Sequence, residues 1–206
     1  SKLKKYANKY GLTKKSGIEL AEAEPKFSDL DVVRSAIGQG SNSYTPVQLS
    51  RYVTTIANGG TCYDLTLIDK MKNTKSGKKE KNSAKINSKL NCQSSTMAAI
   101  KTGMNKVVST GSIKSLFQGL PVTVAGKTGT AQITQNEPNH AVFVSFAPYE
   151  NPEISVTVVI PNGFTSSNAA ELASNVYKYY YDKGARKRLL EKKVSNPAIN
   201  NNNQTD

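Results

Sequence analysis

The strongest chemical signal in the sequence is the string Lys127-Thr128-Gly129-Thr130. A lysine in a strand places a cation beside a ligand groove, and two threonine hydroxyls can hold a carboxylate. The glycine between them lets the backbone come close to a ligand. In a chain of this composition, such a string is expected only about 0.02 times by chance. The pattern therefore predicts one wall of a ligand groove.

A purely structural interpretation of the same string stays open at this point. Gly129 would then form a β-bulge, and Lys127 would protect an exposed sheet edge. His140 opens a later strand with no acid or nucleophile nearby in sequence, which is typical of a structural histidine. Because the chain has one His and two Cys, a metal site built from His and Cys clusters is excluded, and we expect no metal.

Helices alternating with short strands must position this string. Apolar periodicity and capping signals predict one helix closed by Gly11, one begun by the capping box at Thr45, one after Ser95, and one from about Ser167 to Asp182. Strand patterns cover residues 62–69, 84–92, 122–131, 141–147 and 154–160, and the first two form a hairpin around Gly77. Because 141–147 and 154–160 are joined by a short turn, they are expected to be antiparallel.

The predicted fold class is therefore α+β, with an antiparallel sheet flanked by helices. Residues 1–194 are expected to form the folded part, with 62–92 as a Lys-rich β-hairpin insertion. The polar, Asn-rich residues 195–206 are predicted to be a disordered tail. No apolar run approaches the roughly 20 residues of a membrane span, and no signal peptide is recognisable. A first residue of Ser rather than Met suggests a piece excised from a longer protein.

The formal net charge is +13, and it is clustered. Residues 1–15 hold six Lys and no acid, residues 70–89 hold eight Lys against one Glu, and residues 183–193 hold six Lys or Arg against one Glu. Such clusters suit polyanions, although a solvated surface explains them as well. Because no recognition-helix, RRM or zinc-finger pattern accompanies the charge, nucleic acid is not an expected partner.

The sequence resembles the penicillin-binding transpeptidases, particularly the monofunctional class B enzymes. Lys-Thr-Gly is one of three catalytic motifs shared by penicillin-binding proteins and serine β-lactamases. Further segments match the family in its order over about residues 3–182. They are Leu3-x-x-Tyr6-x-x-x-Tyr10-Gly11-Leu12 with Ser16–Leu20, Ile37–Gly40 with Thr45–Leu49, Asn58–Gly60, Gly103-Met104, Ala125–Gln132, and His140–Pro148.

The resemblance implies peptidoglycan D,D-transpeptidation through an acyl-serine intermediate, penicillin binding, and no cofactor. Lys127 and Thr130 would be catalytic, the cation acting on the second-motif Ser and the Thr130 N–H serving as an oxyanion donor. Thr128, Gly129 and Thr130 would bind the D-Ala-D-Ala substrate or a β-lactam. The expected location is the extracytoplasmic face of a bacterial membrane, held by an anchor outside this chain, with the cell-wall synthesis machinery as partner.

The family's nucleophile motif, Ser-x-x-Lys, is expected upstream of this chain. Its matches at Ser1 and Ser76 are of the number expected by chance and have no activating surroundings. Ser166-Ser167-Asn168 matches the second motif, Ser-x-Asn, but in the wrong order, and helix capping explains it better. The chain is therefore expected to be the C-terminal portion of a transpeptidase domain, inactive without the N-terminal remainder. Apolar surface is expected on Met97, Ile100 and the inner faces of 141–147 and 154–160.

Two further alternatives remain. The chain could be a non-catalytic basic module that binds anionic cell-wall polymer or membrane surface, or an enzyme of the β-lactamase or D,D-carboxypeptidase type, against which the Gly38-Gln39-Gly40 and Thr45-Pro46 segments argue. A hairpin centred near Gly77 would also bring Cys62 and Cys92 opposite each other, within reach of a disulfide. The other interpretation is that both cysteines are free thiols, because buried free Cys is common.

Overall fold

A computed structural model describes residues 1–132 and 137–191, and it confirms the α+β class. The tail predicted at 195–206 and the end of the folded part at 194 lie outside these residues. The helices are α1 Lys2–Lys9, α2 Val32–Ala36, α3 Pro46–Ala57, α4 Ser94–Ser109, α5 Ser166–Tyr181 and α6 Lys183–Glu191, with a 3-10 turn at Lys114–Phe117. The strands are β1 Thr61–Asp64, β2 Lys70–Lys72, β3 Lys79–Lys81, β4 Lys85–Lys89, β5 Ala125–Ala131, β6 His140–Ala147 and β7 Ile154–Ile160.

The central sheet is antiparallel in the order β5-β6-β7 and is covered on both faces. Alternation along β6 sends Phe143 into the core beneath α5 and Phe146 into a second core beneath α3 and α4. The hydroxyl of Tyr177 on α5 donates to Ser145 Oγ at 2.9 Å, which joins that helix to the sheet. Burial raises the pKa of this phenol, so the hydroxyl keeps its donor proton.

The expected exposure of apolar surface on Met97 and β6 is wrong. Met97 is 4% exposed, and β6 is buried because helices pack on both sides of it. The expected exposure of Ile100 is confirmed, at 37%. The most exposed apolar side chains among the described residues lie around α2, where Leu30, Val33 and Ile37 are all more than three-quarters exposed.

Local signals predicted most helix ends well. Thr45 and Gln48 form the reciprocal capping box that begins α3, and Gly11 follows α1 with a φ of +76°. Helix α5 begins slightly earlier than predicted, because the side chain of Thr165 accepts the Ser167 N–H. The strand predicted from residue 122 begins only at Ala125. Helices α2 and α6 were not predicted, because α2 is only five residues long and α6 is mostly charged.

The Lys-rich hairpin consists of two nested ladders, β1 with β4 and β2 with β3. Its arms are interrupted because the Glu19 carboxylate accepts the N–H of Leu67 at 2.9 Å and the hydroxyl of Thr66. These hydrogen bonds hold the pKa of Glu19 below its ordinary value. The tip contains Gly77 at a φ of +70°, as its position in the sequence predicted.

The disulfide considered for Cys62 and Cys92 is not formed in the structure, where both are free cysteines. The register places Cys62 opposite Ser88, four residues before Cys92. Because Lys70 pairs with Lys81 and Lys72 with Lys79, the hairpin is centred between residues 75 and 76 rather than at Gly77, and Cys92 lies beyond the end of β4. The position of the tip glycine in the sequence could not reveal this offset.

Candidate active site

Strand β5 carries Lys127-Thr128-Gly129-Thr130 along an open edge of the sheet. Among the strands of the described residues it pairs with β6 alone, with Lys127 opposite Val144 and Thr130 opposite Ala141. Two of its carbonyls are reached by side chains: Lys127 Nζ donates to the Thr128 oxygen at 2.8 Å, and Gln39 Nε2 donates to the Thr130 oxygen at 3.4 Å. In an antiparallel strand the N–H and C=O of one residue point to the same side. The backbone groups of Thr128 and Thr130 therefore face the open edge.

The side chains of the string flank this edge from two sides. Lys127 lies on the sheet face that packs against α3 and α4, whereas Thr128 and Thr130 lie on the α5 face, because side chains alternate along a strand. Lys127 and Thr130 are exposed and Thr128 is half-buried. Within residues 1–132 and 137–191, Lys127 forms no ion pair with a carboxylate. Its charge is therefore available to a ligand at the edge.

The two glycines of β5 differ in how much space surrounds them. A Cβ on Gly126 would lie 2.4 Å from Cζ of Phe143, so this glycine is required by the packing of the core. A Cβ on Gly129 would lie 3.5 Å from Cβ of Val142, which is an ordinary contact. Nothing within the described chain therefore requires a glycine at 129. The structure also shows regular pairing at this residue rather than a β-bulge.

Gln39 is the site residue that the sequence did not assign. Both flanking glycines have positive φ, +79° at Gly38 and +85° at Gly40, as in a turn. The structure adds the side-chain contact with Thr130 across 91 positions. Asn42 donates to the Gln39 carbonyl at 2.9 Å and so holds the turn. The sequence feature that could have identified Gln39 is a polar residue between two turn glycines.

The serines that match the catalytic patterns have local structural roles. Ser1 caps α1, its Oγ accepting the Lys4 N–H at 3.3 Å. Ser76 Oγ accepts the Lys78 N–H within the hairpin tip. At the start of α5, Asn168 Nδ2 donates to the Gly163 carbonyl, as expected for a helix-end contact.

His140 has a structural contact of the kind predicted for it. Its Nδ1 accepts the backbone N–H of Asn162 at 3.0 Å, which fixes the turn after β7 beside the start of β6. Among the residues that the structure describes, His, Cys, Asp and Glu form no cluster of three that could hold a metal ion. In the same residues, no helix is both long and apolar enough to cross a membrane.

Comparison with known proteins gives a consistent result. The family described as the penicillin binding protein transpeptidase domain matches residues 1–178. Penicillin-binding protein 2B of Streptococcus pneumoniae is 32% identical over 206 residues, covering 87% of this chain and 30% of that protein. Peptidoglycan D,D-transpeptidase MrdA of Haemophilus influenzae is 32% identical over 174 residues, covering 73% of this chain and 26% of that protein.

Solved structures agree with this result. The structure of penicillin-binding protein 2B from S. pneumoniae strain R6 superposes with a TM-score of 0.74 at 29% identity, covering 88% of this chain and 33% of that one. A complex of penicillin-binding protein 2 with MreC from Helicobacter pylori superposes with a TM-score of 0.72 at 26% identity, covering 87% and 35%. The chain thus spans about a quarter to a third of the length of these relatives.

Proposed function

This chain belongs to the penicillin-binding protein transpeptidase family, and from that membership we propose that it is the C-terminal part of a peptidoglycan D,D-transpeptidase that also binds penicillin. The nucleophilic serine lies in the N-terminal remainder of the protein, in Ser-x-x-Lys. It attacks the carbonyl between the two D-Ala residues of a stem peptide, forms an acyl ester, and releases the terminal D-Ala. An amine of a neighbouring stem peptide then takes the acyl group and frees the serine.

The open edge of β5 is the observation that supports this function most strongly. The Thr130 N–H faces the edge, where it serves as one oxyanion donor, and the nucleophilic serine supplies the second. Lys127 contacts the serine of the upstream Ser-x-Asn motif and raises the positive potential over the site. The hydroxyls of Thr128 and Thr130 bind the substrate carboxylate, and the substrate adds to β5 as a further strand.

In this proposal the Gln39 contact occupies the Thr130 carbonyl only while no ligand is bound. A peptide that pairs along β5 needs the same carbonyl as its acceptor, so it displaces the Gln39 amide. The 3.4 Å length makes this a weak hydrogen bond, and its loss costs little.

The proposed location is the extracytoplasmic face of the cell membrane, with the anchor in a segment outside these residues. The proposed partners are the N-terminal remainder of the protein and the cell-wall synthesis machinery. The complex of the H. pylori relative with MreC supports a partner of that class. A non-catalytic binding module is the alternative, and the charge of +13 favours it.

We expect the isolated 206 residues to form no covalent adduct with a labelled β-lactam. Ser1 and Ser76 serve in a helix cap and a hairpin tip. Ser1 Oγ also donates to Asp29 Oδ1 at 3.2 Å, but the hydrogen bond from Lys4 lowers the pKa of this carboxyl and makes it a poor general base. Intact-mass measurement after incubation tests this directly. When the N-terminal remainder is added, labelling should appear on that partner chain. An adduct on the 206-residue chain would show that it carries its own nucleophile.

A matched pair of glycine variants separates folding from ligand binding on β5. Gly126→Ala should destabilise the chain by about 1–3 kcal/mol, because the new methyl group clashes with Phe143. Gly129→Ala should change stability by less than about 0.5 kcal/mol. In the full-length protein it should nevertheless slow penicillin acylation about tenfold or more, because the methyl group displaces the ligand from the strand.

Urea unfolding of the chain and rates of fluorescent-penicillin labelling of the full-length protein measure these two effects. A labelling rate in Gly129→Ala equal to that of the wild type would contradict ligand pairing along β5.

A further inference from the structure

The outer part of the hairpin separates its charges onto two faces. In the ribbon formed by β2 and β3, Lys70 lies opposite Lys81 and Lys72 lies opposite Lys79. Directly opposed residues of an antiparallel pair share a face. The four side chains Lys70, Lys72, Lys79 and Lys81 therefore lie together, and we call this set the lysine face. All six residues of the two strands are exposed.

The acid available within the ribbon does not neutralise the lysine face. Glu80 is the single acidic residue of the two strands, and it lies opposite Met71 on the other face. Its carboxylate is paired with Lys78 of the tip at 2.8 Å. In the described part of the chain, none of the four lysines of the lysine face forms an ion pair.

This arrangement weakens the ribbon when nothing is bound. Like charges directly opposite each other destabilise a strand pair, and a two-stranded ribbon by itself is marginal in water. An anion lying over the lysine face would remove the repulsion. Lysines two residues apart on a strand are separated by about 7 Å, and opposed lysines by about 5 Å. The resulting double row suits a linear polymer with regularly repeated charges.

We propose that the lysine face binds a linear polyol-phosphate polymer of the cell wall through the phosphates of its backbone. The choice of a wall polymer rests on the proposed function, which places the domain outside the membrane. Residues 70–89 contain no aromatic residue and no Arg, so base stacking and planar recognition of nucleic acid are not provided. Met71 lies on the opposite face, so a bilayer touching the lysines would not receive this apolar side chain.

The test uses the 206-residue chain and synthetic poly(glycerol phosphate), with binding measured by calorimetry over a series of NaCl concentrations. Changing all four lysines of the lysine face to Gln should weaken binding about tenfold or more at low salt. It should also reduce the slope of log Kd against log salt by about three, because each of the four lost phosphate contacts contributes about 0.7 to that slope. The matched control changes four exposed lysines elsewhere to Gln and should weaken binding less than about threefold. These are Lys2, Lys26, Lys106 and Lys114.

Two results would overturn the assignment. Equal loss in the two quadruple variants would show a diffuse charge effect rather than a site. Tighter binding to phosphatidylglycerol vesicles than to the polymer, lost in the lysine-face variant, would assign this surface to a membrane. Polymer binding is measured without a β-lactam, so its failure is distinguishable from failure of the transpeptidase proposal, which penicillin labelling tests.

Discussion

Replacement of Lys127 by Ala in the full-length protein should lower the rate of acylation by fluorescent penicillin at least about 100-fold. This corresponds to the loss of about 3 kcal/mol of transition-state stabilisation. The proposed cause is electrostatic: Lys127 lies at the open edge of β5 and forms no ion pair within the described residues, so no neighbouring carboxylate offsets its charge when a ligand excludes water from the edge.

Lys106→Ala is the control for Lys127→Ala, since it removes the same charge from an exposed position on α4. It should label at a rate within about threefold of the wild type. Circular dichroism and the unfolding midpoint confirm that each variant is folded. Near-normal labelling by folded Lys127→Ala would contradict a catalytic role for this residue.

Replacement of Arg51 by Met should lower the free energy of unfolding of the chain by about 3–5 kcal/mol, the usual effect of breaking a buried charged network. Arg51 projects from α3 with a side chain that is 1% exposed. Its guanidinium donates to the Gly11 carbonyl, to Lys14 O at 2.6 Å and to Ser16 O at 3.1 Å. Methionine fills the volume but removes the side-chain donor from the Gly11 and Lys14 carbonyls, whereas Ser16 O keeps the N–H of Leu65 at 2.9 Å.

Arg34→Met is the comparison for Arg51→Met. The Arg34 side chain is 73% exposed and pairs with Asp31, three residues earlier at the start of α2. An exposed pair of this kind contributes less than about 1 kcal/mol. Arg51→Lys should be intermediate, because a lysine keeps the charge but cannot reach three carbonyls with a planar fork. Urea unfolding followed by circular dichroism measures all three. A loss below about 1 kcal/mol in Arg51→Met would show that the loop at 11–16 is held by other contacts.

The elements that the sequence predicted well depend on neighbouring residues. The Thr45 and Gln48 capping box, the glycine after α1 and the alternation along β6 each follow from hydrogen bonds or side-chain directions within a few positions. The string at 127–130 and the order of the motifs likewise indicated the family from the sequence alone. Helix α6 was missed because its residues are mostly charged, and packing against α5 supports it.

The sequence by itself determined the family, the α+β class, the position of the cationic strand and most element ends, because these depend on short-range chemistry. Only the tertiary structure decided that the open edge of β5 exposes the backbone of Thr130, that Gln39 reaches it, that Arg51 is buried, and that Cys62 faces Ser88 rather than Cys92. Each of these joins residues far apart in the chain. Such contacts are set by packing and by strand register, in which a small offset of the turn changes every partner along both strands.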